Sequence, residues 1–129
     1  MKNLIVPILF GSIITAGCSI NKKQLLGKYY FTGDNITDTL IIKDDIYIHK
    51  IYNKNLKLMY QGENKWAFDK NRINLSGFYN NEDNELQEPL SNEDAEKFLM
   101  LVSFPLYKNN NDIIIEVNSD ENIQYLKSK

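Results

Sequence analysis

The feature that most constrains this chain is a succession of short apolar–polar alternations, each closed by a cluster of turn residues. Leu56, Leu58 and Tyr60 alternate with Lys57, Met59 and Gln61, the period of a strand with one buried face. Trp66 and Phe68 share a face against Lys65 and Ala67, and Ile73, Leu75 and Gly77 alternate with Asn74 and Ser76. Further strands are expected at Tyr29–Thr32, Thr39–Lys43, Ile46–Tyr52, Ile113–Val117 and Ile123–Leu126. Gly33–Asn35, Asp44-Asp45, Asn53-Lys54-Asn55, Asp69-Lys70-Asn71 and Ser119–Asn122 separate them, all in turn-forming residue types. Gly62 marks either a bulge or a tight turn. In Ile46–Tyr52 the phase is ambiguous. Ile46 and Ile48 fall on one face with Lys50, and Tyr47, His49 and Ile51 on the other. The strand is therefore covered on both sides or bulged near His49.

One segment breaks the pattern. Ser91 is a helix cap with Glu93 and Asp94 in the first turn. Ala95, Phe98, Leu99 and Val102 follow at helical spacing, and Pro105 is expected to stop the helix. The spacing predicts one short helix over 92–102, preceded by a polar loop at 80–88. Short, evenly spaced strands with a single helix imply a mainly β fold: an antiparallel meander of about eight strands, curled into a barrel. Closure also removes exposed strand edges.

The first segment does not belong to that fold. Lys2 is followed by a short apolar run from Leu4 to Ile14, broken by Pro7 and Gly11, and then by small residues. This is the pattern of a cleaved export signal, and the run is too short to span a bilayer. It ends at Cys18, the only cysteine. Ala16-Gly17-Cys18 resembles the lipobox of bacterial lipoproteins, with Thr15 where leucine is commonest. The resemblance implies a diacylglycerol on the Cys18 thiol, cleavage of residues 1–17 and acylation of the new amino terminus. Two or three acyl chains hold a protein to a membrane almost permanently. With Ser19 rather than aspartate next in line, the resemblance implies the outer membrane where the cell has one, and otherwise the outer face of the cytoplasmic membrane. Residues 18–24 then read as a lipidated tether and residues 25–129 as a single β-rich domain.

Gly27-Lys28-Tyr29-Tyr30, and Gly62 followed by Trp66-Ala67-Phe68, resemble the glycine-then-aromatic strand openings of lipocalin-like small lipoproteins. That likeness implies a lipocalin-like barrel and transfers no binding residues.

Composition narrows the functional classes. The 112 residues from Cys18 onward carry 14 basic and 17 acidic side chains, a balance unlike that of a nucleic-acid footprint. No polybasic stretch adjoins the anchor. No internal disulfide is available. His49 is the only histidine, with no second histidine or free thiol to complete a transition-metal site; it is expected as a surface residue or a satisfied polar partner. Glu82, Asp83, Glu85, Glu88, Glu93, Asp94 and Glu96 crowd one region, where oxygen ligands for calcium compete with a solvated loop and helix-start acids. No nucleophile elbow or phosphate loop is present. No catalytic residue and no cofactor is assigned. Tyr29, Phe31, Tyr60, Trp66 and Phe68 are candidates to line a ligand pocket at a barrel mouth, against the plainer expectation that they are core. Phe78 and Tyr79 are the candidates for an outward partner-binding patch. The expectation is a non-catalytic, membrane-anchored domain that binds an apolar ligand or a peptide. The alternative is a tethered inhibitor or immunity-type protein that binds a toxin or enzyme.

Overall fold

The computed structural model describes residues 20–80, 86 and 88–128; the signal, Cys18 and most of the acidic loop lie outside them. A four-residue helix α1 (Lys22–Leu25) leads into β1 (Gly27–Thr32), β2 (Ile36–Ile42), β3 (Ile46–Asn53), β4 (Leu58–Asp69) and β5 (Arg72–Tyr79). A five-residue helix α2 (Asn92–Glu96) then precedes β6 (Leu99–Asn109), β7 (Asp112–Asn118) and β8 (Ile123–Lys127). Every neighbouring pair is antiparallel, in sequence order, and β8 returns to β1 through Tyr29↔Lys127 and Tyr30↔Leu126. The result is the expected closed, eight-stranded meander.

The eight strands are not quite the eight expected. Leu58–Gln61 and Lys65–Phe68 are the two halves of one strand, β4. Its first half pairs with β3 from Leu58 to Lys65, and its second with β5 from Trp66 to Asp69. Gly62 is no turn: it lies within the β3–β4 ladder opposite His49, and a side chain there would collide with the Tyr60 hydroxyl. The helix begins at the expected cap, the Ser91 hydroxyl accepting the Asp94 N–H at 3.1 Å, but ends at Glu96. From Leu99 the chain is strand. Val102, Phe104 and Leu106 alternate inward along it, and the residue before Pro105 is disfavoured in helix anyway. Pro105 lies where β6 passes from its β5 partner to its β7 partner, so its missing N–H interrupts little of either ladder.

Two details of phase decide what faces the core. In β3, Tyr47, His49 and Ile51 point inward without interruption, and the register shifts only after Ile51. His49 is thus 1% exposed, not a surface residue. In β5 the register shifts between Leu75 and Phe78, with Gly77 at φ +54°. This is a bulge built on glycine, which alone adopts that backbone cheaply. It inserts an extra residue and turns Phe78 inward, where simple alternation predicts it outward.

The interior is packed in two clusters. The larger gathers Tyr29, Leu40, Tyr47, Ile73, Leu75 and Ile115 along the barrel axis, with Ile20, Leu25 and Trp66 at one end. That end is closed by α1. Asn21 and Gln24 cap each other reciprocally at 3.0 Å, which fixes the helix start. Leu25 is fully buried, and the Tyr29 hydroxyl donates to its carbonyl at 2.9 Å. Lys127 Nζ donates to the Gln24 carbonyl and lies 6.0 Å from the Tyr29 ring centroid, tying the last strand over the first. Residues 20–24, expected as part of the tether, therefore belong to the folded body. The smaller cluster, Ile36, Ile51, Tyr60 and Ala95, closes the other end under α2 and Leu90. Leu90 N–H donates to the Met59 carbonyl at 2.8 Å, covering a stretch of β4 not paired with β5.

Candidate functional site

Inward alternation on β2, β3 and β8 brings three polar side chains together inside an apolar barrel. Asp38 and His49 meet at 2.6 Å through Oδ1 and Nε2, both nearly inaccessible to solvent. The Tyr125 phenol lies beside Asp38, lining the same small interior space. Burial raises the Tyr125 phenol well above its usual range, and the Asp38 charge raises it further. His49 Nδ1 is the one buried side-chain nitrogen or oxygen without a partner among the described residues. That orphan assigns the proton. If Nδ1 carried hydrogen, a donor would be buried unpaired; with hydrogen on Nε2, the ring donates to the carboxylate and only a lone pair goes unused. Asp38 thus accepts the His49 Nε2–H, with the Tyr125 phenol beside it.

The imidazole is flanked by two aromatic rings. Phe78 stacks on it at 4.7 Å with an interplanar angle of 1°, and Tyr60 meets it edge-on at 5.5 Å. A carboxylate orienting a histidine is half of a nucleophilic triad. Here, among the described residues, no Ser or Thr hydroxyl bonds the free nitrogen. The arrangement works as a polar clamp joining β2, β3 and β8.

The five candidate pocket residues do not assemble into one pocket. Tyr29 and Trp66 belong to the larger cluster, and Phe68 packs against it. Trp66 is fastened by Nε1 donating to the Lys43 carbonyl at 2.7 Å. Phe31 and Tyr60 sit towards the α2 end. The cavity that reaches the inner wall there, lined by Phe31, Asp38, Phe78, Asn80, Val117, Ile123 and Tyr125, measures about 10 Å³. That is the volume of a single water and far below the ~300 Å³ of a typical ligand pocket. Phe78 is 2% exposed and is no outward anchor. Tyr79 is half-buried, with its ring 5.0 Å from Tyr60 and 6.3 Å from the exposed Phe98. The acidic loop residues Glu82, Asp83 and Glu85 lie outside the described residues. Among the described ones, no three His, Cys, Asp or Glu groups converge as a metal site.

What alternation did not reveal is a row across the outer wall. Register aligns Tyr107 with Ile114, Ile114 with Leu126, Leu126 with Tyr30, and Tyr30 with Thr39. Tyr107 is 52% exposed, Leu126 49% and Tyr30 36%. The row runs into a groove of about 320 Å³ on β1–β3, lined by Lys28, Tyr30, Ile41, Lys50, Tyr52 and Leu56 among others. Lys28 Nζ sits 5.7 Å from the Tyr30 ring. The sequence signal was present in each strand as an apolar residue on the polar face; only the register shows that they line up. No protein-family model matches the chain, and searches of curated proteins and of solved structures return no match either.

Proposed function

We propose that this is a bacterial envelope lipoprotein, anchored through Cys18, whose barrel is a non-catalytic binding domain that receives a peptide or protein segment on its outer wall. The observation that carries the choice of surface is the packed interior. With about 10 Å³ free at the inner wall, an apolar small molecule has no volume inside the barrel without repacking close-packed side chains; the larger space beside Tyr60, about 410 Å³, is a groove against α2 and the outer wall. The outer row of Tyr107, Ile114, Leu126 and Tyr30 offers aromatic and aliphatic anchors of the type that dominate binding energy.

Two experiments test the reading. Intact-mass spectrometry of the protein from its native membrane should give a chain starting at Cys18 with acyl mass added; an unprocessed chain would remove the anchor. A photo-crosslinking residue in place of Tyr30 or Tyr107 in cells should give an adduct of defined mass. An adduct only at interior positions such as Ile115, together with a co-purified apolar molecule, would reverse the choice of surface.

The tethered-inhibitor reading is favoured by a different observation. Glu93, Asp94, Glu96, Asp120 and Glu121 lie at the α2 end of the barrel, opposite α1. An acidic distal end suits electrostatic docking on a basic toxin or enzyme. Association through that end slows steeply with added salt, whereas association through the apolar row changes little.

A further inference from the structure

Strand direction alternates around a meander, so the hairpins sort to two ends. The α1 end holds Lys22, Lys23, Lys43, Lys70, Arg72 and Lys108 against Asp44, Asp45, Asp69 and Asp112. The α2 end holds Glu88, Glu93, Asp94, Glu96, Asp120 and Glu121 against Lys54, Lys57 and Lys97. The barrel is electrically polarised although the chain as a whole is mildly acidic. Among the described residues, the acid–base contacts are Asp38–His49 and Lys97–Asp94. Among the described residues, none of the cations at the α1 end is within ion-pair distance of a carboxylate.

A cleft of about 450 Å³ opens at that end, lined by Ile20, Asn71, Arg72, Pro105, Leu106, Tyr107, Lys108 and Asn110. Its lining holds two cations, amide and phenol donors and no carboxylate. Arg72 is pre-positioned, donating from Nε to Ser103 Oγ and from Nη2 to the Ser103 carbonyl, both at 2.9 Å. The remaining guanidinium donors suit a phosphate oxygen. Ile20 forms part of the wall and is 7% exposed. It lies two residues after Cys18, and two residues span at most about 7 Å.

We infer that this cleft binds the phosphate headgroup of an anionic phospholipid, seating the barrel with its α1 end on the bilayer and its acidic end outward. The choice of lipid over free phosphate rests on Cys18 being the anchor. The phosphate chemistry of the cleft does not.

The test uses the full chain with Cys18→Ser, which cannot be acylated, so its outcome is independent of lipidation; intact mass of the native protein tests the anchor separately. The chain is floated with vesicles of phosphatidylcholine alone or of phosphatidylcholine mixed with phosphatidylglycerol. Residues 1–17, with Lys2 and the α-amino group, add the same preference to every variant, so each variant is compared with the Cys18→Ser parent. The expected result is a preference for the anionic vesicles that collapses in high salt. Each cation near such a surface is worth about five-fold, so Arg72→Gln with Lys108→Gln should lower the preference roughly 25-fold. Lys54→Gln with Lys57→Gln, at the far end, should leave it unchanged. Equal flotation with both vesicles, or a preference that survives the Arg72 and Lys108 changes, overturns the inference. Arg72-dependent binding of inorganic phosphate by the chain in solution, with no preference for the anionic vesicles, overturns the assignment to lipid.

Discussion

Asp38 and His49 illustrate how much one buried polar pair governs. Each is silent on its own strand: an aspartate between threonines, and a histidine between isoleucine and lysine. Inside the barrel they depend on each other and on Tyr125. Removing one partner strands the rest without water, whereas replacing both with apolar groups does not. Asp38→Ala is expected to cost about 3–5 kcal/mol in urea unfolding. Asp38→Leu combined with His49→Phe should cost clearly less than Asp38→Ala alone. A double variant that loses as much as the single one would show that the cost is packing, not the orphaned donors. The sequence showed His49 as a lone histidine and no more. Its burial was unreadable because Tyr47, His49 and Ile51 alternate with the equally apolar Ile46 and Ile48, so hydropathy names no inner face.

At the scale of elements, β5 and β6 are where local pattern and fold diverge. Gly77 takes φ +54° in the β5 bulge, and a methyl there would also press on the Asn64 amide. The Tyr47 hydroxyl donates to the Ser76 carbonyl at 2.6 Å, holding the bulge to β3. Gly77→Ala should therefore destabilise by about 1–3 kcal/mol. It should also weaken near-ultraviolet dichroism, because Phe78 is set against His49, Tyr47 and Phe104 by that bulge. Stability equal to the parent would mean that the bulge relaxes. A glycine inside an alternating strand is a legible hint of a bulge, but its phase consequence for Phe78 is not. β6 was obscured differently. Ala95, Phe98, Leu99 and Val102 satisfy helical spacing, while Val102, Phe104 and Leu106 satisfy strand spacing. The partners on β5 and β7 decide between them, and those partners are far away in the chain.

The whole molecule is a small barrel whose interior is filled by large side chains, many of them tyrosines. Burial raises the phenols of Tyr29, Tyr47, Tyr60, Tyr79 and Tyr125, with Asp38 adding to the last. A phenol whose folded pKa lies above its unfolded value holds its proton more tightly in the native state. Its stabilising contribution is complete below the unfolded value near 10 and lost as pH rises through the folded one. Stability is thus expected to fall steadily above about pH 10, with ionisation of these phenols coinciding with unfolding. An ultraviolet titration in which all the tyrosines ionise while the barrel remains folded would contradict the packing described. The same packing predicts that the native protein does not enhance the fluorescence of an apolar dye in the interior. Displaceable dye binding quenched by substitution at Tyr29 or Ile115 would reveal a cavity the interior does not show.

The mainly β class, the helix cap at Ser91, the turns at Asp69-Lys70-Asn71 and Ser119–Asn122, and the short apolar run ending in Cys18 were all determined by the sequence itself. They are local properties, set by residues within a few positions of one another. The filled interior, the inward turn of Phe78, the Asp38–His49–Tyr125 clamp, the outer row from Tyr107 to Tyr30 and the separation of charge between the two ends were decided by tertiary structure alone. Each depends on which strands lie side by side and in what register. In a meander, register joins residues as far apart as Tyr30 and Leu126, and no single stretch of chain contains both sides of that contact.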